Sequence, residues 1–174
     1  MVTIEAMEAL WFFLPAFAAN QCPGLGVYCG IPSWPVSRRL LGENKTVEAY
    51  VVAVAGASFV VFLEQDFVRL NNVYGWYHAE SISEVLLIGT LFGVGAVLGD
   101  HVKSFYKRRR GIRPGEPWWP FDQIDFAVGA LVCIFPLSGW IGFGKVAFLL
   151  LASLFFRPVL NWFGWKMGIR KTWK

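Results

Sequence analysis

The chain has 174 residues, 56 % of them hydrophobic and only 16 % charged, with a formal net charge of +4. A water-soluble domain carries about 25 % charged residues, so a mean hydropathy of +0.48 excludes an ordinary soluble fold and makes a bilayer the solvent. Nine Trp and sixteen Phe suit that solvent, because bulky aromatics favour lipid contact and the headgroup boundary.

A spanning helix needs about 20 largely apolar residues. In chain order, five stretches fit: 4–21, 47–67, 82–102, 124–140 and 145–163. The expected fold is an all-α integral membrane protein, a single domain over 1–174 built as a bundle of five transmembrane helices. The first stretch lacks the basic region and small-residue cleavage site of a signal peptide. Glu5 and Glu8 precede it instead, so it is expected to be retained, with a kink at Pro15. Asn20 closes it, and an amide in an apolar helix usually has a partner.

Cys22 and Cys29 follow in one short loop, and Cys133 lies far along the chain. The first two are close enough for a disulfide, but the favoured reading is plain packing. Zinc-type ligand spacing is missing. The loop then reaches Gly42-Glu43-Asn44-Lys45-Thr46, a glycine turn running into the second span. Backbone N–H groups at a helix start attract anions. Lys45 adds charge, and Thr46 either caps the helix or binds phosphate. Likeness to a P-loop is superficial, since the first glycine and the preceding strand are missing.

The third span carries Gly89, Gly93, Gly95 and Gly99, two small-xxx-small rows that let helix backbones approach in lipid. Its end carries Asp100, Lys103, Ser104 and Lys107 at i, i+3, i+4 and i+7, one helical stripe. A carboxylate at such depth is costly and needs a partner or cavity. A plain Asp100–Lys103 or Asp100–Lys107 pair is the structural alternative. Asp122 and Asp125 open the fourth span at i, i+3 and add two acids to the same patch. One could serve as a helix cap. Three carboxylates at one depth repel without a cation, and a hard oxygen-seeking ion such as Mg2+ is the natural one.

Basic residues set the orientation. Arg38, Arg39, Lys45, Lys103, Lys107, Arg108, Arg109, Arg110, Arg113, Lys166, Arg170, Lys171 and Lys174 make thirteen of sixteen Lys and Arg on one side. That side is the cytoplasm by the positive-inside rule. Glu5, Glu8, Glu64, Asp66, Glu80 and Glu84 fall on the other. The expected topology has the N-terminus outside and the C-terminus cytoplasmic, with the polar patch facing the cytosol. Such a patch suits a metal and a phosphate-bearing substrate. Nothing in it suggests nucleic acid.

These residues resemble the integral-membrane CTP transferases. In the bacterial CDP-diacylglycerol synthases a pattern S-x-x-K-R-x4-K-D precedes H-G-G and D-R-x-D. Ser104, Lys107 and Arg108 match its start, and Asp122 and Asp125 match D-x-x-D. The chain departs at Arg113 and Pro114, at Gln123, in having no H-G-G, and in being much shorter. The short form is similar to the CDP-archaeol synthases. The matching blocks are L-P-A-F-x-A-N ending at Asn20, G-x-N-K-T ending at Thr46, and G-D-x-x-K-S-F-x-K-R-R ending at Arg109.

The resemblance implies CTP and a polyprenyl-glyceryl phosphate as substrates, magnesium, and an archaeal cell membrane. The product would be CDP-archaeol, a precursor of membrane phospholipid. On that reading Asp100, Asp122 and Asp125 hold the metal. Lys103 and Lys107 steady phosphates as catalytic groups, and Asn20, Asn44, Lys45, Thr46, Ser104 and Arg108 serve the nucleotide. Arg108, Arg109 and Arg110 are as well explained by topology, since basic loops orient membrane proteins. His78 and His101 receive no catalytic role.

A transporter or channel is the competing class. Its charges should cross the bilayer's depth, and inverted repeats are common in such folds; neither is seen. A CDP-alcohol phosphotransferase would need D-G-x-x-A-R, which is absent. A purely structural protein leaves the acids unexplained.

Overall fold

The computed structural model describes residues 2–71, 79–113 and 115–169, with backbone alone for 2–4 and 68–71. His78, Pro114, Arg170, Lys171 and Lys174 lie outside the described residues. Five helices follow one another: α1 Val2–Tyr28, α2 Glu48–Asn71, α3 Ile82–Arg109, α4 Phe121–Ser138 and α5 Phe143–Lys166.

Their exposed faces are apolar, with Phe155 72 % and Val132 67 % exposed. Such faces belong in lipid rather than water. Four helices, α2 to α5, are long and apolar enough to cross a membrane. The protein is an integral membrane helical protein. α1 has 27 residues, about 40 Å of helix at 1.5 Å per residue, which is long enough to cross a bilayer; its side chains are described only from Glu5 on.

α3 occupies the middle of the bundle, and its glycines explain why. A β-carbon on Gly93 would lie 2.6 Å from Val54 Cα of α2, and one on Gly89 2.5 Å from Ser58 Cα. On the other flank, Gly95 and Gly99 meet Ala130, Gly129 and Asp125 of α4. The small-residue rows therefore seat α3 against two neighbours at once. Phe12, Phe13, Phe92 and Phe126 fill the remaining space and are almost fully buried. Phe13 meets Phe92 edge to face with ring centres 6.1 Å apart, a favourable aromatic geometry.

Helix ends run beyond the hydropathy limits. α1 continues through Pro23 to Tyr28, and α3 runs to Arg109. α4 begins at Phe121, so Asp122 is helical. Glu64, expected near the outer boundary with the other acids, is only 3 % exposed. α2 extends to Asn71, which keeps Glu64 well inside a packed helix. Cys22, Cys29 and Cys133 are free thiols; Cys22 and Cys133 are partly buried, as packing cysteines are, whereas Cys29 is exposed.

The loop before α2 is pinned. Val36 N donates to Lys45 O at 2.8 Å, and Val47 N to Trp34 O at 2.9 Å, flanking a bridge between Pro35 and Thr46. Glu48 Oε2 accepts from Trp34 N at 3.0 Å. Two backbone bonds and one carboxylate thus fix where Lys45 emerges.

Candidate active site

A polar cavity of about 350 Å3 opens where α3, α4, α5 and the pinned loop meet. Its walls include Asn44, Lys45, Asp100, Lys103, Ser104, Lys107, Arg108 and Asp122. The helical stripe of α3 thus faces one space, as its spacing requires.

Lys103 is the centre of the charge pattern. Its Nζ lies 3.2 Å from Asp100 Oδ1, 2.7 Å from Asp122 Oδ1 and 2.9 Å from Asp125 Oδ2. Three carboxylates from two helices converge on one ammonium. Lys45 pairs with the other oxygen of Asp100, linking the loop to α3. Lys107 Nζ reaches both oxygens of Asp122, at 3.0 and 2.9 Å. Asp122 also accepts from Trp118 N, which turns it toward the loop before α4. It makes no cap bond at the helix start, where Pro120 is the N-cap.

Asp125 is deeper, its side chain 1 % exposed. It does not line the cavity wall but backs it through Lys103. Arg157 of α5 pairs with its Oδ1 and donates to the Asp122 carbonyl. Arg157 and Asn161 line the cavity too, and the sequence reading assigned neither a role. The signal was available: an arginine inside an apolar helix needs a partner. Nothing in spacing linked it to acids 32 and 35 residues earlier.

Two predicted nucleotide residues stand apart. Asn20 is not in the cavity wall, and its Nδ2 is buried without a hydrogen bond. Thr46 is 7 % exposed and its backbone forms the bridge to Pro35, so it braces the loop. Arg108 is in the wall and donates to Ile112 O. Arg109 and Arg110 lie over Phe105 and Trp118 instead, at 5.2 and 5.1 Å from the ring centres. His101 is buried and meets Tyr50 at 2.8 Å, a link between α2 and α3 away from the cavity.

As the side chains stand, no group of three or more His, Cys, Asp and Glu among the described residues is placed to hold a metal ion. The point of convergence is taken by the Lys103 ammonium.

The family model for CarS-like CDP-archaeol synthase matches residues 1–174. The chain belongs to the CDP-archaeol synthase family. It is 33 % identical over 169 residues to the CDP-archaeol synthase of Methanospirillum hungatei, covering 91 % of this chain and 98 % of that one. It is 34 % identical to that of Thermococcus onnurineus, covering 92 % of each. A solved intramembrane enzyme for archaeal membrane lipid biosynthesis superposes with a TM-score of 0.71 at 27 % identity, over 89 % of this chain and 93 % of that one. Of the blocks that suggested CDP-archaeol synthases, the loop and α3 blocks supply the cavity wall. The α1 block, ending at Asn20, packs beside it.

Proposed function

We propose that the chain makes CDP-archaeol. The cytidylyl group of CTP would pass to 2,3-di-O-geranylgeranyl-sn-glycero-1-phosphate, with release of pyrophosphate. Membership of the CDP-archaeol synthase family carries this reading. The cavity supports it, since carboxylates and phosphate-seeking cations share one space. A transporter is not favoured, because the family is enzymatic and the paired charges gather at one end of the bundle.

The lipid phosphate oxygen attacks the α-phosphorus, and pyrophosphate leaves in line. A phosphate monoester with a second pKa near ~6 is already largely dianionic at neutral pH, so no general base is nominated. Positioning and charge neutralisation do the catalysis. Lys45, Lys103, Lys107 and Arg108 neutralise phosphate oxygens, with Ser104 and Asn44 as neutral hydrogen-bond partners.

Magnesium fits the acidic side of this set. Asp100, Asp122 and Asp125 supply only oxygen donors, all directed at one point. Asp125 Oδ2 is buried there, with the Lys103 ammonium at 2.9 Å as its partner. These three residues would hold the ion once Lys103 turns to phosphate. When bound, it would supply charge neutralisation and orientation at the reacting phosphates.

A second, apolar groove of about 750 Å3 runs between α1, α2 and α5, with Leu14, Phe17, Leu63 and Leu160 in its wall. It suits one polyprenyl chain. Phe156 and Leu160 face the groove, while Arg157 and Asn161, one residue on, face the cavity. α5 therefore divides an apolar space from a polar one, as a lipid phosphate requires.

In the bilayer all five helices span, with the N-terminus outside and the cavity facing cytosolic CTP. The basic loops and tail support that orientation. The test is direct: purified protein, radiolabelled CTP, the polyprenyl-glyceryl phosphate and Mg2+ should give labelled lipid. Label remaining wholly in the aqueous phase would overturn the reading.

A further inference from the structure

Arg157 interrupts an apolar stretch of α5, between Phe156 and Pro158. Its Nη1 donates to two acceptors on α4, the Asp122 carbonyl and Asp125 Oδ1. Phe126 lies under its guanidinium, 5.4 Å from the ring centre, a contact that favours a desolvated cation. Asp125 Oδ1 also accepts from Phe126 N at 2.6 Å. That oxygen is therefore held twice, once by backbone and once by a planar cation. The other oxygen, Oδ2, faces the point that Asp100 and Asp122 share.

We propose that Arg157 is a positioning residue: it clamps one oxygen of Asp125 so that the other is presented to a divalent cation. The inference rests on reading the three aspartates as metal ligands. Groups that orient a metal-binding side chain typically contribute about 10–100-fold in affinity. Charge alone argues the opposite way. Removing a cation beside three carboxylates strengthens their attraction for a metal ion. The sign of the effect therefore separates a clamp from a counter-charge.

The experiment is Mn2+ binding by electron paramagnetic resonance on purified protein in nanodiscs, with a non-hydrolysable CTP analogue present to draw Lys103 off the aspartates. Arg157→Gln should lower Mn2+ affinity about 10–100-fold. Arg157→Lys keeps the charge but lacks the planar donors, and should fall between it and the wild type. Asp125→Asn should bind weakly, and adding Arg157→Gln to it should cost nothing further, because the clamp then has no carboxylate to hold. Affinity in Arg157→Gln equal to or above the wild type overturns the clamp. Should that variant not fold, wild-type affinity in Arg157→Lys overturns it equally. Failure of the wild type to take up Mn2+ would end the metal reading, and the clamp with it.

Discussion

A β-carbon on Gly99 would lie 2.1 Å from the carbonyl oxygen of Asp125, so α3 and α4 meet backbone to backbone beside the acids. Gly99→Ala must push the helices apart by more than a soft side chain could absorb. We expect a fall of about 1–3 kcal/mol in stability, the usual cost of overpacking. Turnover should drop about a hundredfold, as a misplacement near 1 Å does. Thermal unfolding in detergent and the labelled-lipid assay measure the two. Unchanged values for both would mean that the contact is not kept in the membrane.

Asp122→Asn and Asp125→Asn should each nearly abolish cytidylyl transfer while leaving a folded, monodisperse protein. Each amide keeps the shape but loses the charge that an oxygen-ligated cation needs. Turnover at the wild-type rate in either variant contradicts the metal assignment.

Lys45 reaches Asp100 from a loop pinned at two backbone bonds. Lys45→Ala should raise the KM for CTP about 10–100-fold, the worth of one hydrogen bond to a charged group, with a smaller effect on the lipid KM. Steady-state kinetics with each substrate varied in turn would show it. An effect confined to the lipid would move Lys45 to the other substrate.

Leu14→Trp places a bulky ring in the apolar groove, away from every ion pair. The lipid KM should rise about tenfold, equivalent to roughly 1.4 kcal/mol, while CTP binding by calorimetry stays the same. An unaltered lipid KM would show that the chain lies elsewhere.

Much of the cavity could be read from the sequence, because a helix converts spacing into direction. Asp100, Lys103, Ser104 and Lys107 needed only a period of 3.6, and all four line one space. Asp122 was legible as an acid at a span boundary. Arg157 and Asn161 were not, since their helix reaches the site by packing and shares no pattern with α3 or α4. Asn20 and Thr46 show the converse. Each sits in a block that resembles CDP-archaeol synthases, yet one packs in α1 and the other braces a loop. Hydropathy likewise located the helices but not their ends, because backbone hydrogen bonding continues past the last apolar residue. α1 goes on to Tyr28 and α3 to Arg109.

Four cations, Lys45, Lys103, Lys107 and Arg157, are matched in this state by three aspartates. An idle enzyme therefore shows its surroundings little unbalanced electricity and holds out few bare hands to passing anions. If the aspartates are metal ligands as proposed, a nucleotide that brings its own counterion would offer an exchange: the newcomer's metal would take the acids, and the liberated ammonium groups the polyanion. Free anions without that companion would have to break pairs and get nothing back for the orphaned carboxylates. On that proposal, selectivity for the metal–nucleotide complex over other phosphates would follow from how the resting side chains hold one another.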